Sequence, residues 1–225
     1  MVLLAAVAII IVVEFIDEFY LVRIQPTAES LFPAWLRSWD VAGFTLLHAG
    51  LASPFLDAAM WLITRAGSTI FWLLVSAALW LGNKKRQAAL LAFGVILGGL
   101  LLLPIKILLP RPRPYFIMQG VRTMEIEGGG SFPSGHSKNG FTAAVILGSH
   151  WKTLRVPLYI LGFLIALSRV YLALHWPSDV IVGSLIGWII GKITIRYESQ
   201  IMTILKKVKL EEIWRSDTSA KFRSP

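Results

Sequence analysis

Apolar positions in this chain fall in long unbroken blocks, without the narrow stripes of helices that lie on a soluble core. No charge interrupts Ala66 to Asn83 or Gln87 to Ile105, windows of 18 and 19 residues, and a helix of that length crosses a hydrocarbon core of about 30 Å. Val156 to Leu174 is broken only by Arg169, and the block that begins near Pro177 runs through "VIVGSLIGWIIGKITI" to Ile195. Asn139 to Trp151 reaches span length if its helix begins near Ser134, and Val2 to Val13 does so if it continues to Val22 across Glu14, Asp17 and Glu18. The pattern predicts an all-α, polytopic membrane protein with about six transmembrane helices. Between the first two blocks, residues from about 27 to 65 set Trp35, Trp39 and Trp61 among scattered charges, the spacing of helices that lie in the interface.

Composition sharpens this picture. Of 225 residues 56% are hydrophobic and 16% charged, with a mean hydropathy of +0.66, values outside the range of soluble domains. A cleaved signal peptide would need basic residues before its apolar core and a small-residue cleavage site after it. Neither flanks the first block, so it is expected to remain as a span. Cysteine is absent, which removes disulfides and thiolate metal sites from consideration. The expectation is one membrane-embedded domain over 1–225, ending in a basic cytoplasmic tail over about 198–225.

Charge then orients the molecule. With six alternating spans, one side receives Lys84, Lys85, Arg86, Lys152, Arg155 and the basic residues from Lys192 onward, thirteen of the twenty-two Lys and Arg. The positive-inside rule makes that side cytoplasmic. The other face carries Lys106, Arg111, Arg113, Lys138 and Arg169 near span ends, where a charge is costly and therefore a functional candidate. Arg111 and Lys138 also suit lipid headgroups and stay outside the core set, while His48 and His150 read as structural, hydrogen-bonded histidines.

Three polar interruptions reach that second face: "PIKILLPRPRPYF", "SFPSGHSKNG" and "SRVYLALHWPSD". Together they supply Lys106, Arg113 and Arg169 as cations, Ser134 and Gly135 as hydroxyl and backbone donors, and His136, His175 and Asp179 as proton-handling groups. A transferring phosphoryl group spreads charge over its oxygens and needs several fixed donors. Pro133 and Pro177 are placed to open helices, whose N-termini favour anions. His175 and Asp179 stand four apart at a helix start, so the carboxylate can hold one imidazole nitrogen and leave the other as nucleophile. The glycines 128–130 give the intervening loop freedom to fold over the bilayer surface.

Taken together, Lys106 with Arg113-Pro114, Pro133-Ser134-Gly135-His136, and Ser168-Arg169 with His175 and Asp179 resemble the tripartite signature of the type 2 phosphatidic-acid phosphatase superfamily. The resemblance implies an integral-membrane, metal-independent lipid phosphatase without cofactors, its active site at the extracytoplasmic face of the cell membrane. It also implies His175 as nucleophile, Asp179 as its orienting group, and His136 as the proton donor to the leaving group. Lys106, Arg113, Ser134, Gly135 and Arg169 would hold the phosphate. The expected partners are the bilayer and a lipid phosphate (phosphatidylglycerophosphate, phosphatidic acid or undecaprenyl diphosphate), with no nucleic acid. The same phosphohistidine would also serve a phosphotransferase passing phosphate to an acceptor other than water.

Overall fold

The computed structural model describes residues 31–205 and 207. The expected first span, Val2 to Val22, and most of the basic tail lie outside that range. Among the described residues the chain is helical throughout, without strands. The helices are α1 (Ala34–His48), α2 (Pro54–Arg65), α3 (Thr69–Leu81), α4 (Lys85–Leu108), the short α5 (Pro114–Ile117), α6 (Gly135–His150), α7 (Arg155–Tyr171) and α8 (Pro177–Arg196).

Among the described residues, two helices and a joined stretch are long and apolar enough to cross a membrane: α4, α8, and 152–171, which adds a 3₁₀ turn to α7. A fourth candidate is the pair α2 and α3, bent by 58°. The apolar window from Ala66 to Asn83 is thus shorter as a helix than its composition predicts. Ser68 caps α3 by accepting from Phe71 N–H at 3.1 Å, and the Gly67 carbonyl turns outward to accept from Asn139 Nδ2 at 2.9 Å. Polar side chains therefore set the break inside an apolar run.

At the centre stands α6, packed most extensively on α8 and α7 and also on α4. It has only 16 residues, but its small and apolar positions are buried nearly all round, as befits a helix surrounded by others. The α8 face toward it carries glycine at every fourth position. A Cβ at Gly183 would stand 2.4 Å from the Ser134 carbonyl oxygen, at Gly187 2.2 Å from that of Lys138, and at Gly191 2.6 Å from Val145 Cβ. Small residues spaced by four let two helix backbones approach closely, the packing mode of helices in lipid. Outward, α7 and α8 present Val156, Ile160, Phe163, Ile181, Leu185, Ile189 and Ile193, a surface suited to hydrocarbon.

One apolar cluster, built on Trp72, Leu90, Leu91, Val95, Ala143, Ile146, Leu147 and Ile201, fills the half of the bundle near the α3–α4 and α6–α7 turns. Glu198 lies at the same end, paired with Arg86 and, at 3.0 Å, with His150 Nε2. Two smaller clusters, one around Phe44, Val170 and Trp176 and one around Met60, Tyr171 and Leu174, support the other end, where the polar interruptions meet.

Replacing Gly187 by Ala drives a methyl into backbone that has no room to yield, an overpacking cost of ~1–3 kcal/mol. The melting temperature in detergent should fall by about 5–10 °C. Gly99→Ala, whose Cβ meets nothing within 4 Å, should leave it unchanged; equal melting of all three proteins contradicts the close α6–α8 crossing.

Candidate active site

Residues from motifs far apart in sequence meet because four helix ends converge. Lys106 occupies the last turn of α4. After Leu109 the segment "PRPRP" cannot continue the helix, since proline lacks the N–H and clashes with the preceding turn, and it leads in extended form to Arg113 (φ −75°, ψ 155°). Ser134 is the N-cap of α6, accepting from Ser137 N–H at 3.3 Å, and this places Gly135 and His136 in the first turn. Arg169 stands in the last turn of α7, which ends in a Schellman motif: Ala173 N–H donates to Val170 O at 3.0 Å and Leu174 N–H to Arg169 O at 3.0 Å. The motif requires a left-handed residue, and here it is Ala173 (φ 63°), at a cost of about 1–2 kcal/mol for a side chain other than glycine. The turn folds His175 back over Arg169.

A cavity of about 340 Å³ lies at this end, lined by Lys106, Arg113, Gly135, His136 and His175 among others. Ser134, Arg169 and Asp179, all essentially unexposed, stand behind its walls. Gly67, at the α2–α3 break, lets backbone lie against the His136 ring, since a Cβ there would come within 2.8 Å of it.

His175 presents Nε2 to Arg113 Nη1 at 3.4 Å and Nδ1 to Asp179 Oδ2 at 3.6 Å. The second separation exceeds a hydrogen bond, and Nδ1 has no partner within that range. Burial, reinforced by Arg113 and Arg169, holds the His175 imidazole well below its ordinary pKa, so the ring is neutral and its lone pair available. Asp179 itself is heavily engaged: Oδ2 accepts from Trp176 N–H at 2.9 Å, capping α8, and Oδ1 accepts from Arg111 Nη1 at 2.8 Å.

Arg113 is saturated. Its guanidinium donates to Leu174 O at 2.9 Å and Gly128 O at 2.9 Å, and reaches Gly129 O at 3.4 Å. The glycine loop turns through Gly129 (φ 72°) and aims the Gly128 and Gly129 carbonyls at this side chain. Arg169 donates to Thr64 Oγ1 at 3.0 Å.

Four groups beyond the expected set belong to this end of the molecule: Glu127, Arg111, Lys138 and Asp40. Glu127 places its carboxylate 2.5 Å from Arg169 Nη2 and 3.0 Å from Arg113 Nη1, so the two arginines expected to bind phosphate already grip an anion. Burial alone would raise the Glu127 carboxyl, but Arg169 and Arg113 outweigh it and hold the group well below the usual carboxylate range. Arg111 and Lys138, read from sequence as headgroup-facing, are 2% and 1% exposed. Arg111 joins Asp179 to Asp40, the latter at 2.6 Å, and Lys138 donates to Val95 O at 3.1 Å. The signal for Arg111 was available: alternate residues of an extended segment share a face, so Arg111 follows Arg113 inward. Glu127 and Asp40 have no local pattern that marks them. His48 and His150 are hydrogen-bonded structural groups, His48 Nδ1 to Tyr171 O at 2.7 Å and His150 Nδ1 to Ile146 O at 3.0 Å. Among the described residues no three His, Asp or Glu side chains converge as a metal site.

The undecaprenyl-diphosphatase BcrC of Bacillus subtilis is 29% identical over 160 residues, covering 68% of this chain and 81% of the relative. Among solved structures, Aquifex aeolicus LpxE superposes with a TM-score of 0.64 at 30% identity, covering 70% of this chain and 94% of that one. The first transmembrane PAP2-type phosphatidylglycerolphosphate phosphatase from Bacillus subtilis superposes with a TM-score of 0.66 at 25% identity, over 77% and 91%. With the family profile matching residues 87–202, from the start of α4 past the end of α8, this chain belongs to the PAP2 superfamily.

Proposed function

We propose that the protein is a lipid phosphatase that removes the terminal phosphate of a membrane lipid phosphate or diphosphate through a phosphohistidine. The observation that carries this reading is a single cavity bordered by His136, His175, Lys106 and Arg113, with a carboxylate held by Arg113 and Arg169 at its edge. In this reading the phosphoryl group takes the place of Glu127 on the two guanidinium groups, anion for anion. His175 Nε2 attacks phosphorus while Nδ1–H stays directed at Asp179, and His136 protonates the departing oxygen. The same His136 then activates the water that releases phosphate and frees His175.

Lys106, Gly135 and Ser134 complete the phosphate site. Lys106 brings a point charge, and the start of α6 brings backbone N–H groups and a partial positive charge. The Ser134 hydroxyl accepts as the cap of α6 and has its own proton to donate. No metal has a role in this scheme. The single domain spans the membrane six times, and its active site faces away from the cytoplasm. Supporting that orientation, Lys84, Lys85, Arg86, Lys152, Arg155, Lys192 and Arg196 lie by the turns and helix ends opposite the cavity. Lys85 and Lys192 there sit over Trp80 and Trp188, as at a membrane interface. Relatives are named for undecaprenyl diphosphate and for phosphatidylglycerolphosphate, and the candidate substrates are phosphatidylglycerophosphate, phosphatidic acid and undecaprenyl diphosphate.

His175→Ala should abolish phosphate release and remove any acid-labile phosphoenzyme from a rapid quench, and Asp179→Asn should slow phosphoenzyme formation ~10²-fold or more. Undiminished release from His175→Ala overturns the mechanism. Because Glu127 is ionised throughout the physiological range, Glu127→Gln removes a competing anion at every such pH. Orthovanadate should then inhibit about tenfold more tightly, the worth of a charge-assisted contact; weaker inhibition would assign Glu127 a part in binding instead. Single cysteines at Met124, exposed on the loop between α5 and α6, and at Asn83 should react with an impermeant maleimide from opposite sides of the membrane, Met124 from outside, and reaction of both from one side refutes the topology.

A further inference from the structure

Asp179 is the group that faces His175 Nδ1, yet most of its contacts belong to something else. One guanidinium, that of Arg111, donates through Nη1 to Asp179 Oδ1 at 2.8 Å and to Ser178 Oγ at 2.8 Å, and through Nη2 to Asp40 Oδ2 at 2.6 Å. Asp40, on α1, accepts in turn from the Ser178 backbone N–H and hydroxyl, both at 2.7 Å. All three charged side chains are 2% exposed or less. The guanidinium plane is confined between Phe32, 4.3 Å from its ring centroid, and Trp176, at 5.3 Å. The Arg111 carbonyl accepts from Ser131 N–H at 2.8 Å, which fixes the backbone from the other side.

This arrangement does more than neutralise a buried charge. A carboxylate at a helix start can rotate about its χ angles, and Asp179 has a choice of N–H groups to cap. Arg111 removes that freedom by taking Oδ1 in a fixed fork direction, which leaves Oδ2 in the line between Trp176 N–H and His175 Nδ1. Asp40 anchors the far half of the fork, so the guanidinium cannot follow Asp179 if that side chain moves. One cation between two carboxylates also leaves the cluster with a net negative charge. Its nearest titratable neighbour is the imidazole that gains positive character when Nε2 bonds to phosphorus.

We propose that Arg111, braced by Asp40, is a positioning residue for the phosphoryl transfer: it acts through Asp179 to fix the tautomer and orientation of the His175 imidazole and does not bind the phosphate. The proposal rests on the phosphatase reading for its kinetic consequence, but its structural consequence stands apart from turnover.

Two measurements on the full-length protein in detergent test it. In the first, single-turnover phosphoenzyme formation is followed with whichever lipid phosphate the wild type hydrolyses fastest, for Arg111→Gln, Asp179→Asn and the double variant. Arg111→Gln should slow formation by about 10–100-fold with KM changed by less than about threefold, the pattern of a group that supports a reacting residue. In the Asp179→Asn background the same change should cost less than about threefold more, because residues that act through one another do not add. Losses that multiply in the double variant, or a loss confined to KM and orthovanadate affinity, overturn the proposal in favour of a direct phosphate contact. Arg111→Lys guards against misfolding: it keeps the charge but grips one carboxylate at a time, and should retain the wild-type melting temperature with an intermediate rate.

The second measurement needs no activity. In protein labelled with 15N-histidine, the His175 signals, assigned by their loss in His175→Asn, should show Nδ1 protonated and Nε2 bare in the wild type. Arg111→Gln and Asp179→Asn should shift both signals in the same direction. His175 signals unaltered by Arg111→Gln overturn the proposal even if catalysis falls. If the wild type releases phosphate from no lipid, the phosphatase reading fails, and the imidazole signals alone decide the role of Arg111.

Discussion

The close crossing of α6 on α8 is the constraint from which the rest of the site follows. Gly183 and Gly187 place the α8 backbone against the carbonyls of Ser134 and Lys138, and the two helix starts are tied directly where Ser134 N–H donates to Asp179 O at 3.0 Å. Because the α6 start carries His136 and the segment before α8 carries His175, their separation is set by backbone contact and does not depend on flexible side chains. Rigid elements hold reacting groups to tolerances that loops cannot. A site built this way keeps its two histidines in register.

Packing of this kind brings charge into a place that resists it. Arg111, Arg113 and Arg169 are all 2% exposed or less, and an uncompensated buried charge costs several kcal/mol. Each is matched: Arg111 by Asp40 and Asp179, Arg169 and Arg113 by Glu127. Backbone carbonyls supply the remainder, those of Gly128, Gly129 and Leu174 for Arg113. At rest each of the three buried guanidinium groups thus has an anionic partner. In the proposed reaction the phosphoryl group would exchange with the Glu127 carboxylate, which sits on the loop between α5 and α6, so arrival of substrate and movement of that loop would be one event. The loop is tied elsewhere by Arg122 to Asp57 at 2.8 Å and by Arg65 to Glu125 at 3.0 Å. These pairs are about half exposed on the arginine side, where an ion pair contributes little, so they yield more readily than the site does.

Helical class, three of the membrane-length blocks and the motif residues that line the cavity were legible in the sequence because each has a local cause. Long apolar runs report helices in lipid, proline and serine report helix starts, and charges at span ends report cost and therefore use. The break at Gly67 was hidden inside an apolar window, since its causes are the Ser68 cap and a hydrogen bond from Asn139, seventy-two residues away. Glu127 and Asp40 escaped for the same reason: their importance lies in which arginine they meet, a tertiary fact. The headgroup reading of Arg111 and Lys138 failed where depth was inferred from sequence position alone, because a charge near a span end faces lipid or protein according to the helix beside it.

The spacings of the three motifs are themselves consequences of backbone geometry. Lys106 is separated from Arg113 by the end of α4 and an extended proline-rich segment, which together carry the chain from the last helical turn across the cavity mouth. Arg169 is separated from His175 by the Schellman turn, whose left-handed Ala173 reverses the chain within a few residues. His175 N–H donates back to the Arg169 carbonyl at 3.2 Å, so a guanidinium and an imidazole six positions apart share one hydrogen-bonded ring of backbone. His175 is separated from Asp179 by one turn that begins at Pro177, with the carboxylate folded back to cap its own helix. An insertion in any of these stretches would leave every motif residue present and rotate or displace the group it delivers. The signature is thus a record of three chain reversals at one end of a helical bundle, and its residues converge on phosphate chemistry only because the fold makes those reversals there.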